Sequence, residues 1–117
     1  MKLFKGKRMK ILIIVSLILQ LTTTLWADME YNQYIDMKKE AYSLYENGDK
    51  NAAISSVNQF IKVHPKNIRA QNLLAVLHYW SGNLSQSKVI LQNILKHEKF
   101  PQAVALLKII AKKRVKV

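Results

Sequence analysis

The chain has 117 residues, enough for one domain, and carries 19 Lys+Arg against 7 Asp+Glu for a formal net charge of +12. It has no cysteine, which excludes disulfides, thiolate metal sites, a cysteine nucleophile and lipid attachment as a bacterial lipoprotein. Half of the residues are hydrophobic, but many of these are gathered near the N-terminus and do not count toward a folded core.

Lys2, Lys5, Lys7, Arg8 and Lys10 precede any acid, and Met9 offers a second start that leaves the same pattern intact. An apolar run from Ile11 to Leu19, relieved only by Ser16, leads through Gln20 and Thr22, Thr23 and Thr24 to Leu25-Trp26-Ala27 and then Asp28. A basic start, a short apolar middle and a small closing residue describe a secretory signal peptide over 1–27, cleaved after Ala27. Ile11 to Trp26 supplies 16 positions, several of them polar, whereas a membrane span needs about 20 apolar residues. Cleavage is therefore preferred to an uncleaved inner-membrane anchor. In both cases the basic flank stays in the cytoplasm and the remainder is exported. The expected location is periplasmic or secreted, with the anchored form facing the periplasm as the alternative.

The exported part is acidic at its start and basic at its end: residues 28–49 hold six acids and two lysines, and 51–117 hold eleven Lys+Arg with only Glu98. A first helix is expected over about Glu30 to Asn47, with Tyr34, Met37, Ala41, Leu44 and Tyr45 on one stripe, ended by Gly48. A second runs from about Asn51 to Val63, burying Ala53, Val57, Phe60 and Ile61, with Pro65 forbidding continuation. A third starts after Asn67 as N-cap and carries Ala70, Leu73, Leu74, Leu77 and Trp80 as far as Gly82-Asn83. A fourth covers roughly Ser85 to His97, with Val89, Ile90, Ile94 and Leu95 expected inside, and a fifth runs from Pro101 to about Lys113. The domain then spans 28–113, followed by a basic tail over 114–117. No strand signal competes, and the class is all-α.

Gly48 and Gly82 stand 34 residues apart, and Ala41 with Ala75, Ala53 with Ser87, and Val57 with Leu91 share that offset. A fixed period of this size marks an α-solenoid of helix–turn–helix repeats. With Tyr34 and Ile68 as first positions, small residues at Ala41, Ala75, Ala53 and Ser87, turn glycines at Gly48 and Gly82, and Pro65 resemble the tetratricopeptide repeat. The resemblance covers about Tyr34 to Lys113 and implies two such repeats plus a C-terminal capping helix.

In that family the first helices of successive repeats line a groove that holds peptide. The resemblance implies groove positions at Ile35, Lys38, Tyr42, Tyr45 and Glu46 in the first repeat. The second would contribute Arg69, Asn72, Val76, Tyr79 and Trp80, and helix five Gln102, Ala105, Ile109 and Lys112. Aromatic side chains and Arg make strong anchors. Tyr45, Tyr79 and Trp80 equally suit packing between neighbouring helices. A groove that clamps a C-terminal carboxylate is not supported, because Tyr42 stands where the family's Asn belongs.

His64, His78 and His97 lack metal-ligand spacing, and there is neither a Gly-rich phosphate loop nor a Ser/His/acid arrangement. No enzymatic activity and no cofactor are expected. The expected function is protein–protein interaction, as an exported scaffold or assembly factor for an envelope complex. Self-association stays open, because stacked repeats usually need about three units. The alternative is a binder of nucleic acid or an anionic membrane surface through Arg69, Lys108, Lys112, Lys113 and Arg114. Export tells against nucleic acid.

Overall fold

A computed structural model describes residues 2–115, and the side chains of 10–113. Among the described residues the regular structure is helical: α1 (Lys2–Glu46), α2 (Lys50–Val63), α3 (Ile68–Trp80), α4 (Leu84–His97) and α5 (Pro101–Val115). The helix expected to begin near Glu30 is instead the end of α1, which starts at Lys2. The physical reason is an absence of breakers, since no Gly or Pro occurs between Lys7 and Asn47.

The chain divides into two units, Met1–Gln33 and Tyr34–Val117. In the first, the apolar side chains of Ile11, Leu12, Ile13, Ile14 and Val15 are exposed, as are Leu25 and Trp26. The hydroxyls of Thr22, Thr23 and Thr24 donate to carbonyls one turn earlier, such as Leu19 and Gln20. They thereby hide their polarity within the helix.

Tyr34 is the first buried residue, which is why the second unit begins there. Its core has two parts. Tyr34, Met37 and Ala41 of α1 meet Ala53 and Val57 of α2 and Ala70, Leu73 and Leu77 of α3. Ala75 of α3 meets Leu91 and Ile94 of α4 and Ala103 and Ile110 of α5. Helix α3 is common to both, so each helical pair buries its apolar face only through its neighbour.

The two turns are built alike. Gly48 N–H donates to the Tyr45 carbonyl at 3.1 Å and Asp49 N–H to Leu44 at 2.9 Å; Gly82 and Asn83 donate to Tyr79 and His78 at 3.1 and 2.8 Å. This crossed pair of bonds satisfies the last carbonyls of α1 and α3, and it requires a left-handed residue at the glycine. Gly48 has φ +90° and Gly82 φ +86°. A Cβ at either site would meet nothing within 4 Å, so the cost of a side chain lies in the backbone alone. Gly48→Ala and Gly82→Ala are each expected to lose about 1 kcal/mol in urea unfolding. A neutral result would contradict the left-handed assignment.

Asp49 caps α2 by accepting from Ala52 N–H at 3.1 Å, and Asn67 caps α3, as expected, by accepting from Ala70 N–H at 3.0 Å. Helix α4 corrects the sequence expectation. Val89 is 64% exposed, and the buried face is Ser87, Leu91 and Ile94, with Ile90 and Leu95 half-buried. Ser87 reverses the apparent pattern because its hydroxyl donates to the Ala75 carbonyl of α3 at 2.8 Å, which lets a polar side chain sit fully buried between α3 and α4.

Helix α5 follows α3 at an offset of 33: Ala103 and Ile110 are buried as Ala70 and Leu77 are. At the place of Ala41 and Ala75, which are fully buried against α2 and α4, α5 carries an exposed Lys108. The helix continues to Val115, two residues beyond the expected Lys113; the last two residues of the expected tail lie outside the described residues, as does the side chain of Arg114.

Candidate partner-binding face

The C-terminal turns of α1 and α3 bring three aromatic rings together. Trp80 lies 5.7 Å from Tyr42 and 5.4 Å from Tyr45 between ring centroids, tilted at 37° and 55°. Centroids at this separation are in favourable contact. Trp80 nevertheless keeps 46% of its surface exposed, while Tyr42 and Tyr45 are half-buried beneath it. Lysines cover the tyrosines from outside: Lys38 Nζ is 5.7 Å from the Tyr42 centroid and Lys50 Nζ 5.7 Å from that of Tyr45. Burial raises the Tyr42 phenol above its ordinary value, so the ring is neutral throughout the physiological range.

Tyr79 is the next residue along α3 from Trp80 and belongs to the other side of that helix. It packs against the second core cluster, and Lys113 Nζ of α5 stands 4.5 Å from its ring centroid. Of the sequence-derived candidates, the structure thus unites Lys38, Tyr42, Tyr45 and Trp80, and sets Tyr79 at the α3–α5 junction. Val76 is half-buried, and Arg69 and Lys112 are exposed on α3 and α5. Ile35 packs on the first core cluster, while Glu46, Gln102, Ala105 and Ile109 are exposed. Asn72 is half-buried, and its Oδ1 is buried without a hydrogen-bond partner.

Sequence reasoning did not assign Lys50 and Lys113 to this face. The signal for Lys113 was available in the repeat itself, because the 33-residue offset maps it onto Trp80.

His78 is buried, and its Nδ1 lies 3.4 Å from the Asn83 amide nitrogen, across the turn that closes α3. With the amide donating, Nδ1 accepts and the proton sits on Nε2. A helix C-terminus favours a cation, but desolvation by burial dominates and lowers the His78 pKa below its ordinary 6.5. The folded state therefore prefers the neutral ring, and the unfolded chain binds the extra proton. Stability from this group is complete above about pH 6.5 and falls as pH drops toward the lowered folded value. Melting temperature is expected to decline below that pH, less so in His78→Gln. Equal declines would remove His78 as the cause. Among the described residues no group of three His, Asp or Glu side chains converges to hold a metal ion.

Helix–turn–helix pairs stacked at a fixed period, with one face shared by their first helices, define a helical-repeat module. A family model described as tetratricopeptide repeat matches residues 44–110, more than half of the chain. The chain belongs to the tetratricopeptide repeat family, whose repeats are typically non-catalytic and serve protein–protein interaction. No curated protein and no solved structure matches it.

Proposed function

We propose that the protein is an exported interaction module that holds a protein partner on the α1–α3–α5 face and serves as a scaffold or assembly factor in the cell envelope. The observation that carries the reading is Trp80. A large aromatic that rests on two other rings is already ordered, so little entropy is lost when a partner covers it. Its 46% exposure is surface that the fold has not used. Family membership supports a protein as the partner. The alternative of nucleic-acid binding fits less well, since single strands stack on successive free rings, and Tyr42, Tyr45 and Tyr79 are half-buried under their neighbours.

Export rests on the basic N-terminus and the apolar run from Ile11. Among the described residues, Lys10–Glu46 contains a stretch long and apolar enough to cross a membrane, a criterion that signal sequences also meet. Cleavage after Ala27 would leave Asp28 as the mature N-terminus; retention would leave the module tethered to the inner membrane. N-terminal sequencing of the protein from envelopes distinguishes the two.

The test of the function is a photoreactive residue at Tyr42, crosslinked in intact cells. A discrete protein adduct supports the reading and identifies the partner. Absence of an adduct at Tyr42, with adducts from Lys112 to nucleic acid or lipid, would transfer the activity to the basic end.

A further inference from the structure

The face changes its chemistry from one repeat junction to the next. At the α1–α3 junction Trp80 rests on Tyr42 and Tyr45, and the neighbouring charges are mixed, with Glu46 and Asp49 close in sequence to Lys50. At the α5 end of the face the charges have one sign: Lys112 and Lys113 are both exposed, and Lys113 stands over Tyr79.

The repeat register makes the two junctions comparable. Tyr45 corresponds to Tyr79 at an offset of 34, and Trp80 corresponds to Lys113 at 33. The same contact between successive first helices is therefore ring on ring at one junction and ammonium on ring at the other. Tyr79 and Trp80, being consecutive, point about 100° apart around α3, which sends one side chain to each junction. Packed helices lie about 8–10 Å apart. An extended chain advances roughly 3.3 Å per residue, so about three residues of a partner bridge one junction to the next.

We propose that this face takes an acidic segment of another protein in extended form, seating a bulky apolar side chain against Trp80 and carboxylates about three residues away at Lys112 and Lys113. The proposal rests on the interaction-module reading above and adds the chemistry and the order of the partner. Each part has its own cause. The Trp80 ring offers area without ordering cost, and the lysines of α5 repel one another until an anion joins them. The surplus of Lys and Arg over 51–117, opposed there only by Glu98, steers an acidic chain toward the same end. A basic segment would meet like charge at α5.

The experiment uses the full chain in detergent and fluorescein-labelled peptides read by anisotropy. The probes carry Phe followed or preceded, after two Ser, by a Glu pair, with Lys-pair and widened-spacing peptides beside them. One Glu-pair order is expected to bind at least about ten-fold more tightly than its Lys counterpart. Lys112→Glu should remove most of that preference, and Lys112→Glu/Lys113→Glu should invert it. Because Lys113 also covers Tyr79, Lys112→Glu alone serves as the variant free of packing effects, with the circular dichroism melt compared for both. Trp80→Ala should weaken Glu and Lys peptides alike. Equal binding of Glu and Lys peptides, or a preference untouched by Lys112→Glu, would overturn the proposal while leaving the module reading in place. A Tyr42 adduct with a folded protein, and no binding by any peptide, would overturn the extended acidic segment alone. No peptide binding and no Tyr42 adduct would overturn the module reading itself.

Discussion

Leu77→Ala is expected to destabilise the repeat unit by about 2–5 kcal/mol, the range for emptying a fully buried leucine site. Leu77 has no exposed surface and closes the cluster that joins α1, α2 and α3. The neighbours it would leave behind include Ala41, Ala53 and Ala70, which are too short to fill the space. For a domain of this size such a loss lowers the melting temperature by about 10 °C or more. The thermal transition followed by circular dichroism measures it directly. A drop of only a few degrees would mean that the helices close up around the site, and that their spacing is not fixed by this residue.

Trp80→Ala is expected to have the largest effect on binding and a smaller one on folding. Central aromatic anchors cost about 2 kcal/mol or more when truncated, a loss of roughly 30-fold in affinity. The ring contacts with Tyr42 and Tyr45 are worth about 0.5–1.5 kcal/mol each to stability. Titration of the partner recovered through Tyr42 separates the two consequences, with Trp80→Phe expected to retain most of the affinity. If Trp80→Ala binds as tightly as the parent chain, the three rings serve packing alone.

The repeat architecture was legible because its determinants are local and positional. Gly48 and Gly82 fix the turns through their own backbone, and the small residues at Ala41, Ala75, Ala53 and Ser87 fix where helices approach. Hydrophobicity alone misread α4. It favoured Val89, whose side chain is exposed, and passed over Leu91, because the polar Ser87 on the buried face breaks the apolar stripe. Small size suits Ser87 to that contact, but its hydroxyl is tolerated there through the bond to the Ala75 carbonyl, and a bond across twelve residues cannot be seen in a periodicity. The start of α1 was missed for a different reason: a change of composition at residue 28 is not a change of backbone preference. On the candidate face, the residue types were evident, but the division of Tyr79 and Trp80 between two junctions depends on how α3 is rotated between its neighbours.

Lys108 has a consequence for how such a chain is lengthened. Ala41 and Ala75 admit α2 and α4 because nothing stands between the backbones. An ammonium at the corresponding place on α5 would have to be stripped of water before another helix could dock there. That single side chain makes α5 a poor seat for a further second helix. Replacing Lys108 with alanine is the natural first step for anyone wishing to graft further repeats onto this scaffold.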